Sequence, residues 1–226
     1  YMPFEMKDKK GNIIGYDVDM AREMAKQMGV KLTLVPTAWD GIIAGLITDK
    51  YDIIMSGMTI TQQRNLEVNF SDPYIVVGQT VLLRNSLAST IKSAKDLDKP
   101  EYTIVTKLGV TGEIATRKFF KKAKIVTFET ESDATSEVLN GKADAMVYDQ
   151  PYNVVFMSDK GKDKLVHLDT SLTYEPLGFA IRKGDPDFLN WLNNFIRQSK
   201  EDKVVGFSDE LYNKWLVDTS WLQRVQ

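Results

Sequence analysis

The sequence predicts an α/β fold made of two units, each built around a doubly wound sheet, joined by two strand-like crossings that form a hinge. Three observations lead there. Residues 31–55 alternate between strand-like and helix-like apolar spacing, and the same alternation returns over 102–158, the pattern of crossover helices on parallel strands. Two apolar runs, Val76–Leu83 and Glu175–Arg182, separate these blocks. The two helices that close the chain most simply return to the first block. Lobe 1 is therefore expected over residues 1–77 and 182–226, lobe 2 over 84–174, and the hinge at 78–83 and 175–181.

The elements follow in order. Tyr1–Phe4 is extended, because Pro3 disfavours helix at Met2. Gly11-Asn12 marks a turn. Asp17 or Asp19 starts a helix carrying Val18, Ala21, Met24, Ala25 and Met28 at helical spacing, with Gly29 placed for a left-handed cap. Lys31–Val35 alternates as a strand. Trp39–Thr48 is amphipathic, with Ile42, Ile43 and Leu46 on one face. Ile53–Met55 is the next strand. A polar shelf follows, Ser56-Gly57-Met58-Thr59, and Thr61 can cap a short helical turn holding Arg64.

In the second block, Tyr102–Val105 is a strand and Gly109–Gly112 a tight loop opening a helix to Phe120. Ile125–Phe128 is a strand, and Ser132 caps a helix ending at Asn140-Gly141. Ala145–Tyr148 is a strand stopping at Asp149, and Pro151 suits the first turn of a helix to Ser158. Helices over Pro186–Gln198 and Ser208–Leu216 finish the chain.

Composition narrows the chemistry. The 226 residues carry a net charge of −2, no cysteine and one histidine, His167. Thiol catalysis, disulfides and two-histidine metal sites are excluded, no cofactor is expected, and nothing in the charge argues for nucleic acid. His167 is expected at a surface or strand edge, without a role. No apolar run approaches a membrane span; the longest, Ile75–Leu83, is interrupted by Gly78 and Gln79. Tyr1 opens the chain with no signal-like stretch ahead of it, so a mature or trimmed form is expected.

Chemistry-bearing residues sit at strand ends, where open α/β sheets bind ligands. Arg64 has the forked donors that grip a carboxylate, with Ser56, Gly57 and Thr59 beside it; the competing reading pairs it with Glu67 or Asp72. The N–H groups of Val110, Thr111 and Gly112 open a helix and can face an anion. Asp149 ends an apolar strand, where an ionised acid wants a cationic partner; the competing reading is a helix N-cap ahead of Pro151. A zwitterion satisfies both signs: carboxylate on Arg64 and the Thr111 region, ammonium on Asp149 and Thr59. Trp39 and Tyr1 could flank an aliphatic stem or a cation, although aromatics in such places are more often core.

Several segments, taken together and in order, resemble one family. They are Tyr1-x-Pro-Phe4, Gly15-Tyr-Asp-Val-Asp19, Ser56-Gly-Met-Thr-Ile-Thr61 through Arg64, Phe70-Ser-Asp-Pro-Tyr74, Gly109-Val-Thr-Gly112, Ala143-Asp-Ala through Asp149, and Gly178-Phe-Ala-Ile-Arg-Lys-Gly-Asp185. The chain is similar to the family 3 solute-binding proteins, the amino-acid receptors of ABC importers, across essentially its whole length. That resemblance implies a two-lobed periplasmic-binding-protein-like fold of type II and a periplasmic or extracytoplasmic location. It implies a monomer that delivers an L-amino acid to a membrane permease. Arg64 then matches the clamp on the α-carboxylate, helped by Thr111. Asp149 matches the acid for the α-ammonium, helped by Gly57 and Thr59. Tyr1 and Trp39 match the aromatics that flank basic side chains, so arginine or lysine is expected. Members carry a further strand ahead of the Tyr-x-Pro-Phe segment, often with an acid that reads a cationic side chain; here Asp17 is left for that part.

The resemblance extends to cyclohexadienyl dehydratases, which makes a cyclohexadienyl or arogenate dehydratase the alternative. Those enzymes carry a glutamate as general acid three residues after the matching aspartate. Here Tyr152 stands in that place, a poor proton donor at neutral pH. A third reading, the sensor domain of a signalling protein, finds no linker or span after Trp221 to support it.

Overall fold

The computed structural model describes residues 1–202, 204 and 206–225. The chain divides into two compact units, Tyr1–Val76 with Pro176–Gln226, and Val77–Glu175.

The first unit opens with an antiparallel pair, β1 (Met6–Lys7) and β2 (Ile13–Ile14). Helix α1 (Tyr16–Met28) follows, its N-cap at Gly15 and its C-cap at Gly29 with φ 66°, the left-handed turn that a glycine adopts without strain. A 3-10 turn at Trp39–Gly41 leads into α2 (Ile42–Ile47). Then come β3 (Ile53–Ile54), the single turn α3 (Gln62–Asn65), β4 (Asn69–Phe70) and β5 (Ile75–Val77). Ile42, Leu46, Ile54, Met58, Val68 and Phe70 pack into one core cluster. A row of rings, Phe4, Tyr16, Tyr74 and Phe179, packs with centroids 6.1, 6.0 and 4.5 Å apart in turn.

The second unit begins with β6 (Gln79–Arg84), followed by β7 (Thr103–Lys107), α4 (Thr111–Phe119), β8 (Lys124–Phe128), α5 (Glu131–Leu139), β9 (Ala145–Asp149), α6 (Gln150–Ser158) and β10 (Leu165–Leu168). Its five strands lie in the order β10-β6-β9-β7-β8. Strands β8 and β9 both run parallel to β7, while β6 is antiparallel to β9 and β10. Val81, Leu83, Ile104, Ala145 and Val147 fill the core, with Phe120 packed against them.

Strand β11 (Glu175–Leu177) pairs with β5, and β12 (Ala180–Ile181) inserts between β3 and β4, antiparallel to each. The chain ends in α7 (Pro186–Glu201), α8 (Ser208–Tyr212), a π-helical turn at Asn213–Val217 and α9 (Leu222–Val225).

Four expectations are corrected. Residues 30–38 form no strand and are largely exposed, although Lys31–Val35 alternates as a strand should. The run over 76–83 is two strands, because it breaks at Gly78, where any side chain would collide with Ser171. Helix α5 starts two residues earlier than expected: Thr130, rather than Ser132, accepts a cap bond from the Asp133 N–H. The run over 175–182 breaks between β11 and β12 at Gly178, where a side chain would press on Ile60 at 2.8 Å.

Candidate functional site

In the first unit, the shelf after β3 is fixed from below. Gly57 adopts φ 55°, and its N–H donates to Asp17 Oδ2 at 2.7 Å. The same carboxylate oxygen accepts from the Tyr74 hydroxyl at 2.9 Å. Asp17 is 1% exposed, and its Oδ1 has no hydrogen-bond partner. Burial first, and the charge of Glu5 second, push its carboxyl well above the usual carboxylate range. The expectation that Asp17 meets a ligand side chain fails on this burial: its carboxylate is spent on holding the turn. Nor does it cap α1, which starts at Gly15.

The upper side of the shelf carries the remaining candidates. The Tyr1 ring covers Gly57 so closely that a side chain there would strike it. Ser56 Oγ donates to Glu5 Oε1 at 2.6 Å. Thr59 is buried and bridges to Leu177, while the Ile60 N–H donates to Pro176 O at 2.8 Å. Thr61 caps α3 as expected, its Oγ1 accepting from the Arg64 N–H at 3.1 Å. That one turn aims Arg64 back across the shelf. Its Nη1 donates to Thr59 O at 2.8 Å, and its guanidinium lies 5.2 Å over the Trp39 ring. Tyr1, Ser56, Gly57, Thr59, Arg64 and Trp39 are thus gathered about one shelf of the first unit, with Glu5 beside Ser56.

In the second unit the strand order itself marks a site. From β7 the chain passes through α4 to β8 on one side, then back through α5 to β9 on the other. The carboxyl ends of β7 and β9 therefore flank a topological switch point, where open sheets leave a crevice. Helix α4 begins there at Thr111, presenting its first N–H groups. Asp149 ends β9 and is 8% exposed. It occupies the N-cap position of α6, yet its side chain makes no cap bond. Its Oδ1 instead accepts from Gln79 Nε2, which also lies 3.5 Å from Thr111 Oγ1. Sequence reasoning missed Gln79 and Glu5. The one available signal for Gln79 was a polar residue interrupting an apolar run; for Glu5 there was none.

Tyr152 sits on α6 at 1% exposure, its hydroxyl 3.0 Å from Thr135 Oγ1 and its ring stacked on Phe156. Burial pushes the phenol up to about 12. Among the described residues, no helix is long and apolar enough to cross a membrane.

Residues 1–218 match the bacterial extracellular solute-binding proteins, family 3. A solved structure from Wolinella succinogenes, a binding component of an ABC transporter complexed with lysine, is 65% identical with a TM-score of 0.95. The match covers 99% of this chain and 94% of that one. The L-cystine-binding protein of Escherichia coli is 28% identical over 215 residues, 95% of this chain and 79% of that protein. The cyclohexadienyl dehydratase of Pseudomonas aeruginosa is 34% identical over 149 residues, 66% of this chain and 56% of the enzyme.

Proposed function

The chain belongs to the bacterial extracellular solute-binding proteins, family 3, and from that premise we propose that it captures an L-amino acid with a cationic side chain, lysine or arginine, outside the cytoplasm and delivers it as a monomer to the permease of an ABC importer. The α-carboxylate goes to Arg64 with the Thr111 N–H, and the α-ammonium to Asp149 with the Gly57 carbonyl and Thr59. Trp39 and Tyr1 flank the side chain, and Ser56 lines the shelf. Two observations support this reading, one in each unit: a guanidinium posed by Thr59 and Trp39 in the first, and a carboxylate held by Gln79 in the second. The likeness to a lysine-complexed binding component supports the choice of side chain.

Titration calorimetry against lysine, arginine, glutamine and cystine tests it. Lysine or arginine is expected to bind tightest. Arg64→Ala and Asp149→Ala are each expected to cost about 2–5 kcal/mol, roughly a factor of 30 or more, since each strands a charge of the ligand. Unchanged binding in either variant would refute the site.

The likeness to cyclohexadienyl dehydratase favours a second reading, an enzyme on the same scaffold. Against it, Tyr152 stands where those enzymes resemble the chain but carry their acid, and its proton is tied up in the core at a pKa of about 12. Incubation with prephenate or arogenate is expected to give no aromatic product; steady formation of one would overturn the transport reading.

A further inference from the structure

Gln79 is the first residue of β6 and lies directly across the ladder from Asp149. It is 1% exposed. Its Nε2 donates to Asp149 Oδ1 and approaches Thr111 Oγ1 at 3.5 Å. Its other amide atom, Oε1, has no hydrogen-bond partner, nor does the buried Thr106 Oγ1 on the neighbouring strand β7. Both face the start of α4. A methyl group on Gly112 would come within 2.8 Å of Oε1 and 3.4 Å of Thr106 Oγ1.

Packing does not account for this amide. A buried acceptor without a partner costs about 1–3 kcal/mol, and an apolar side chain of the same length would fill the space without that cost. What the amide adds is a donor with no charge. A lysine or arginine in its place would also hold the Asp149 carboxylate, but would neutralise it. An amide orients the carboxylate without adding a positive charge of its own.

We propose that Gln79 is the positioning residue of the ammonium half-site: its amide locks the Asp149 carboxylate and ties it to Thr111 at the start of α4, and Gly112 is bare to leave room for it. The proposal rests on the reading that Asp149 takes the ligand's α-ammonium. It joins the two ends of the ligand's backbone within one unit, since Thr111 serves the carboxylate and Asp149 the ammonium. Gln79 itself touches no ligand atom in this arrangement.

The test compares lysine with its des-amino analogue, which keeps the carboxylate and the side-chain ammonium but lacks the α-ammonium. Affinity is measured by direct titration, and by displacement for the weaker analogue. Gln79→Met keeps the length and removes the donor. It is expected to weaken lysine about 10-fold or more, the scale of one charge-assisted bond, and to leave the analogue within about 3-fold. The thermal midpoint without ligand should fall by a few degrees at most, because losing the donor to a buried carboxylate is partly offset by removing the unpaired Oε1. Gly112→Ala, which pushes the amide aside, should weaken lysine in the same sense and add little on top of Gln79→Met, because both act through one contact. Equal losses for the two ligands, or no loss for lysine, would overturn the proposal alone. Full lysine binding by Asp149→Ala would remove the reading beneath it and the proposal together.

Discussion

Asp17 shows how far a residue's neighbours can change its part. Its charged form is disfavoured by burial and by Glu5, so the folded state holds its proton more tightly than the unfolded chain does. The sign follows from linkage: this group's contribution is full below the unfolded value near 3.8 and is lost as pH rises through the higher folded value. Asp17→Asn keeps an oxygen that can accept from both Gly57 and Tyr74, and it cannot ionise. The stability of the variant relative to the parent should therefore grow as pH rises from acid toward neutral, read as denaturant midpoints across the range. A flat difference would refute this account. His167 has the opposite sense. Desolvation lowers its pKa, only partly opposed by Asp169, and its Nε2 sits 2.8 Å from Thr80 Oγ1. Stability should fall as pH drops below about 6.5, because the unfolded chain takes up the proton first. As the sole histidine, its imidazole can be followed by NMR, with a midpoint expected below 6.5. Its place on β10, the edge of the five-stranded sheet, agrees with the sequence expectation.

Helix signals were legible at the scale of elements because their partners are local. Gly29 ends α1 and Thr61 starts α3 as their residue types demand. Since α3 is a single turn, its cap is a large share of what holds it. Thr61→Ala should cost about 1 kcal/mol of stability. It should also weaken the ligand several-fold, by loosening the turn that aims Arg64; denaturant and ligand titrations of the same variant measure both. A variant that lost stability but bound unchanged would show that Thr59 and Trp39 suffice to aim the arginine. Strand signals were less reliable. Lys31–Val35 has the right alternation, but a strand exists only through its neighbour's hydrogen bonds, and no described strand pairs with it. Strand β10 was missed for the converse reason: Leu165–Leu168 has little pattern of its own and is held by its register with β6.

For the molecule as a whole, ligand binding and stability are one equilibrium. Lysine at about a hundred times its dissociation constant should add about 2.7 kcal/mol to the native state. For a chain of this size that raises the thermal midpoint by roughly 5–10 °C. The shift should grow with the logarithm of lysine concentration and shrink to about a third or less in Arg64→Ala. A midpoint indifferent to all the standard amino acids would sink the transport reading.

By itself, the sequence determined most of the helices, the caps at Gly29 and Thr61, and the identity of the charged groups that end strands, because these depend on residues a few positions apart. The tertiary structure alone decided which strands pair, that Asp17 is buried beneath Gly57, and that Gln79 meets Asp149. Those outcomes depend on ladders and desolvation between residues distant along the chain, and no local pattern encodes them.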